Sequence, residues 1–366
     1  MRVSLSHGGP NLYKGNEAPD RLLVGTMDGI ANMTQSSGKW GDAGRHLAGK
    51  HVSAILDLGA QGVLFAGTHG DGLYRSRDAG RSWLDVSNGL KSGNIYSLNA
   101  VSVGGQFRVY AGTEPAHLHI SSDLGDTWEE LPALRDVPSV PNWTFPGPPH
   151  EAHVKNLAFD PRSPDTIYAA IEVGGLLRST DGGRSWQELS GFYEDVHRIA
   201  LRPSAPDQIT LSTGNGIWQS LDNGNSWKQL TDRSTRIAYP DALVIHPENN
   251  DLIFTAGAIS NPGSWRETHT ADARVGRSRD GARTWEFPGK GLPEHIQGNI
   301  EAMSMAVWPG GYALFAGTTD GDVFSSADEG ESWTTIVSSL PPVSKGRRPT
   351  STRLSQHPSS HRLADS

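Results

Sequence analysis

The 366-residue chain contains no cysteine, which excludes disulfides, thiolate metal centres and a cysteine nucleophile. It also lacks any apolar run long enough to span a membrane, and its opening, Met1 to Pro10, has no apolar core of the kind a secretion signal carries. A cytoplasmic protein with no membrane partner is the expectation. Positive charge is scarce: Lys and Arg total 32 against 40 Asp and Glu, for a net charge of −8. A broad phosphate-binding face, and with it a nucleic-acid partner, is disfavoured. Helical periodicity is missing as well, because no stretch keeps a 3.6-residue apolar rhythm for long enough to compete with the short alternating runs.

What the chain does have is a repeat. Six octads read Ser-x-Asp-x-Gly-x-(Ser/Thr)-Trp with at most one departure, closing at Trp83, Trp128, Trp186, Trp227, Trp285 and Trp333. The sixth-unit copy carries Ala282 where the pattern has glycine, and a worn seventh copy, Ser36 to Trp40, precedes the rest. The closing tryptophans lie 41 to 58 residues apart, a spacing that fits four-stranded propeller blades. Upstream of the octads run apolar strands such as Leu64-Phe65-Ala66-Gly67-Thr68 and Leu314-Phe315-Ala316-Gly317-Thr318. Each octad makes sense as a hairpin between third and fourth strands: the aspartate accepts bonds from the turn's own amides, the glycine supplies a positive φ, and the tryptophan buries its ring. A residue that recurs in every blade does one job in every blade, and that job is folding. Ala282 should strain its turn or change its type.

The expected fold is therefore all-β, a seven-bladed β-propeller of four-stranded antiparallel blades filling residues 1–340 as one domain. Residues 341–366, rich in Pro, Ser, Arg and His, are expected to form a disordered tail. The first unit lacks an innermost strand of its own, which must come from Met1 to Leu5 or from the C-terminal tail; Met1 to Leu5, with Val3 and Leu5 alternating, is the expected supplier.

The octad resembles the Asp-box, or BNR repeat, of sialidases, xyloglucan-degrading hydrolases, sortilin-type receptors and photosystem II stability factors. With Thr113-Glu114-Pro115, Trp143-x-Phe145-Pro146, His153-Val154, Ile171 to Gly175 and Asp195-Val196-His197, the chain is similar to bacterial BNR-repeat proteins described as sialidase-like or glycosyl hydrolase. The resemblance implies the fold and a shared rim site. A true sialidase needs an arginine cluster and a Phe/Tyr-Arg-Ile-Pro motif near its start, and that motif is absent. Xyloglucan-type hydrolases use two propellers facing a long cleft, whereas one propeller is legible here, so a long polysaccharide is disfavoured.

Function in a propeller should reside in what differs between blades at the entries to the innermost strands. Those entries read Lys50-His51-Val52, Gly93-Asn94-Ile95, Ala152-His153-Val154, Val196-His197-Arg198, Tyr239-Pro240-Asp241 and Asn299-Ile300-Glu301. Loops between second and third strands add His69, Asp71, Glu114, His117, Glu172 and Asp320. The expected site has His51, His153 and His197 as ligands of a divalent ion such as zinc, iron or manganese, or as proton carriers. Glu114, Glu172, Asp195 and Glu301 are the expected catalytic or orienting carboxylates. Its partner would be a small polar ligand in the axial channel, and the reaction a metal-assisted hydrolysis or elimination. Two alternatives stand beside it: glycoside hydrolysis by paired carboxylates, and a non-catalytic scaffold. A proline-stiffened loop, Pro138 to His150, and an insertion from Ile259 to Arg274 carrying Trp265, Arg266 and His269 are candidate walls or lids.

Overall fold

The computed structural model describes residues 1–268 and 270–344. Seven sheets form a closed propeller whose innermost strands are Arg2–Leu5, Val52–Asp57, Ile95–Val103, Val154–Asp160, Val196–Arg202, Tyr239–His246 and Ile300–Trp308. We number the blades one to seven in that order. Successive innermost strands pack side by side around the axis, and the apolar core lies between blades. Phe65, Leu98, Val109 and Trp128, for example, join blades two and three. One α-helix occurs among the described residues, Pro262–Thr268, and it is too short to cross a membrane.

The octads form as their chemistry dictates. In blade four, Asp181 Oδ1 accepts from the amide of Ser185 at 2.9 Å and Oδ2 accepts from its hydroxyl at 2.6 Å, while the Gly183 amide donates to Ser179 Oγ at 2.8 Å. These bonds hold the Asp181 carboxyl down at about 2. Ala282 leaves the turn type unchanged: its amide donates to Ser278 Oγ at 2.8 Å like the glycines, and it accepts φ 74° to do so. That is a conformation in which a Cβ is disfavoured. The worn first copy is a different device, a two-residue hairpin through Ser37 and Gly38, both at positive φ, between Gly29–Ser36 and Lys39–His46. The sixth blade departs too, since its outermost strand is reduced to a single bridge between Arg277 and Glu286.

Closure uses the N-terminus. Arg2–Leu5 completes blade one, running parallel to Arg21–Thr26, and Leu12–Lys14 then pairs parallel with Met305 to Val307 inside blade seven. Between them, residues 6–11 cross the axis like an axle. The Gly8 amide donates to Ser53 O, the Leu98 amide to Gly8 O, Asn11 Nδ2 to Leu243 O, and the Met305 amide to Asn11 O. Arg198, buried, donates to His7 O at 2.8 Å and Gly9 O at 2.7 Å. Burial pulls its pKa down to about 10, which still leaves a cation at neutral pH. Gly8 and Gly9 are required here because a Cβ would collide with the backbone carbonyls of Tyr96 and Ile55. The axle therefore obstructs the channel in which the sequence placed a ligand, and leaves the rim as the place to bind one.

The expected tail starts inside the described residues. Pro341 to Ser344 lie across the seam of blades one and seven, with the Met27 amide donating to Pro342 O, the Ser344 amide to Gly25 O, and Val343 fully buried. Residues 345–366 lie outside the described residues.

Candidate functional site at the hub rim

A shared irregularity builds the rim. In blades two to seven the innermost strand pairs regularly at its first residue, or in blade six at its first two, and then bulges by one, so that Ser53, Tyr96, Lys155, His197, Asp241 and Glu301 occupy the bulge. Bulges re-aim side chains beside functional sites. Two residues earlier stand His51, Asn94, His153, Asp195, Tyr239 and Asn299, on the same side of the strand because the strand period is two. The hub thus carries two concentric rows of six. The sequence alignment of strand entries merged them, setting His51 and His153 level with His197, Asp241 and Glu301, although those two belong to one row and the last three to the other.

Contacts within the rows form an arc. His51 and His69 rings lie 5.4 Å apart, His69 and Tyr96 5.3 Å, and Tyr96 stacks on His153 at 3.5 Å. His153 is fully buried between two carboxylates, with Nδ1 at 3.2 Å from Glu114 Oε2 and Nε2 at 2.5 Å from Glu172 Oε2. Lys155 Nζ donates to the same Glu172 oxygen at 2.8 Å. Farther along, His197 Nδ1 donates to the Pro240 carbonyl at 2.8 Å, and its Nε2 faces Asp195 Oδ1 at 3.4 Å. Asn299 Nδ2 donates to Asp241 at 2.5 Å. Complete burial opposes a charge on His197, yet the carboxylates of Asp195, Asp241 and Glu172 prevail and push its pKa up to about 9. The same carboxylates, after burial itself, hold the Tyr239 phenol neutral.

Most of this network is sealed: Glu114, Glu172, His153 and His197 are each at most 4% exposed. Asp195 reaches solvent, with 17% of its side chain accessible. Aromatic rings flank the opening. Phe145, on the proline-rich loop, meets His153 at 5.0 Å, and Tyr239 covers His197 at 4.6 Å with Trp265 standing edge-on behind it at 6.0 Å. Trp265 belongs to the short helix, which places the sixth-unit insertion on the rim; His269 lies outside the described residues.

The three histidines expected to share an ion do not form one donor set. His51 Nε2 is engaged by the Ser344 carbonyl at 2.5 Å, and both nitrogens of His153 are turned to carboxylates. Among the described residues the metal-sized set is Glu172, Asp195 and His197, whose donor atoms all lie within 4.8 Å of one another. Of the expected carboxylates, Glu114, Glu172 and Asp195 join the arc. Glu301 instead lines a small cavity below it, with His7, Lys155, Arg198 and Asp241. His117 turns away from the hub, to Glu130 at 2.7 Å.

Sequence reasoning missed Lys155, Tyr96 and His7. His7 enters from the axle, buried and edge-on to Tyr96 at 5.9 Å. The Gly8-Gly9 pair was the available signal, since adjacent glycines after a strand mark a close backbone approach.

No family model matches the chain. It is similar to a xyloglucanase of Paenibacillus sp, 25% identical over 298 residues, which covers 70% of this chain and 27% of that protein. A xyloglucanase of Hypocrea jecorina is 24% identical over 328 residues, covering 75% and 37%. The chain thus spans well under half of these relatives. Among solved structures, an ancestral GH74 enzyme superposes with TM-score 0.61 at 18% identity over 78% of this chain and 38% of its own. YCF48 from Cyanidioschyzon merolae does so with TM-score 0.58 at 15% identity, over 86% and 94%. These likenesses support the propeller fold, and the chain is a seven-bladed β-propeller with xyloglucanases among its sequence relatives.

Proposed function

We propose that this chain is a propeller glycosidase that cleaves a small, neutral saccharide at the hub rim. One observation carries the reading: Asp195, a solvent-reaching carboxylate, stands beside buried His197 and Glu172 between aromatic walls. Sugar rings present flat C–H faces that pack on such rings, while their hydroxyls pair with carboxylates. The sequence likeness to xyloglucanases supports a glycosidic bond as the target. A confined rim bounded by Phe145, Tyr239 and Trp265 favours a short ligand over a long chain.

Within this reading Asp195 accepts a proton from the attacking water. His197 at 3.4 Å balances the Asp195 charge and gives its Nε2 proton to the leaving sugar oxygen, so that one proton is taken from water and one is returned to the product. Glu172, fixed by Lys155 and His153, and Glu114, which steadies His153, hold the arrangement rigid. The test is a panel of short gluco- and xylo-oligosaccharides incubated with the purified chain and analysed by chromatography. Shortened products are expected from at least one neutral oligosaccharide, and the absence of any product across the panel overturns the reading.

A further inference from the structure

We infer that Glu172, Asp195 and His197 form a divalent-cation site of the manganese or zinc type. The inference deepens the reading of this rim as a reaction centre and rests on it only for the ion's role.

Three features point to an ion. Asp195 and His197 flank Val196 at the start of one strand, so both project from the same face. Glu172, at the end of the neighbouring blade's second strand, brings a third donor, and all three donor atoms lie within 4.8 Å of one another. Ligands bound to one ion at about 2.0–2.2 Å sit at most ~4.4 Å apart, so small side-chain movements would close the set. The second feature is the histidine's orientation. Nδ1–H donates to the Pro240 carbonyl, which aims Nε2 at the carboxylates; on this fully buried side chain Nε2 faces Asp195 Oδ1 at 3.4 Å as an ion pair, and neither atom makes a hydrogen bond. A backbone carbonyl behind the second ring nitrogen is how proteins orient a metal-binding imidazole. Lys155 and His153 likewise fix Glu172 from behind.

Charge is the third. Glu114, Glu172, Asp195, Asp241 and Glu301 face the hub, and among the described residues that line its cavity Lys155, Arg198 and His197 oppose them. An excess of carboxylates in a low-dielectric setting draws a compact dication. One imidazole with two carboxylates suits manganese, iron or zinc and leaves positions open for water; calcium prefers six to eight oxygens, and copper's thiolate sites are excluded with cysteine. Bound there, the ion would take the place of a proton on His197 as the electrophile, and Asp195 would hold water against it.

The experiment uses the untagged full chain, stripped with a chelator and titrated with MnCl2 and with ZnCl2 by calorimetry. One ion per chain is expected, with affinity falling at least about tenfold in Asp195→Asn and in His197→Gln and unchanged in His51→Gln. Bound manganese should also show a nitrogen hyperfine coupling in its electron spin resonance, which needs no variant and so survives any folding defect. Absent stoichiometric binding of both ions, or manganese bound without nitrogen coupling, overturns the inference. Saccharide cleavage by ion-free protein would leave the glycosidase reading intact, and ion binding without cleavage of any saccharide would leave this one intact.

Discussion

At the perimeter, Asp123, Asp181 and Asp280 sit in turns so alike that each carboxylate accepts the same two bonds and each pKa is held at about 2. At the hub, the six equivalent bulge positions carry Ser53, Tyr96, Lys155, His197, Asp241 and Glu301, no two alike. The difference teaches where selection for folding ends and chemistry begins. A repeated residue stabilises its own turn, and a position that varies around the ring can assemble groups no single blade could hold.

The hub also carries the larger strain on stability, and substitutions there should break the comparison most visibly. Arg198→Met removes two charge-assisted bonds and leaves the carbonyls of His7 and Gly9 unsatisfied. A loss of roughly 3 kcal/mol is expected by urea unfolding. Gly8→Ala forces a methyl against the Tyr96 carbonyl and should displace the axle at a cost of about 2 kcal/mol, again read by urea unfolding. A cost below ~0.5 kcal/mol in both would mean that the axle is a passenger.

Perimeter changes should be smaller. Asp181→Ala loses its turn bonds at an exposed site, and about 1 kcal/mol is expected. The depressed Asp181 pKa gives this contribution a pH signature. It is fully present above the unfolded-state value near 4 and is lost as pH falls toward about 2, so wild type and Asp181→Ala should converge in stability across that window. Smallest of all is Ala282→Gly. Relief of φ 74° is opposed by loss of a methyl buried against Trp285 and Leu243, and a change within about 0.5 kcal/mol is expected in thermal unfolding.

The same contrast explains what could be read without coordinates. Blade count and octad chemistry were legible because identical residues at regular spacing report identical geometry, whereas the strand that closes blade one was narrowed only to one terminus or the other, since alternation at Val3 and Leu5 marks a strand but not its partner. The hub was legible in composition and wrong in register. His51 and His197 read as equivalents, yet they stand two positions apart, because His51 precedes the first paired residue of its strand, Val52, and His197 follows that of its own, Val196; the first paired residue has no compositional mark here. His153 read as a ligand because its neighbours in space, Glu114 and Glu172, come from loops about 40 and 20 residues away in the chain. Nothing in the local sequence shows that both its nitrogens face carboxylates. Lys155 was passed over for a like reason: a lysine in a strand reads as solvent-facing until its carboxylate partner, Glu172, is known.

The central claim is that chemistry belongs to the varied hub and folding to the repeated perimeter. Its most direct test sets kcat/KM of Asp195→Asn beside that of Asp181→Asn on one saccharide cleaved by the wild-type chain. The account predicts a loss of roughly a hundredfold or more in the first, from removal of the proton acceptor, and wild-type activity in the second. Equal activity in the two variants, whether retained or lost, would contradict it.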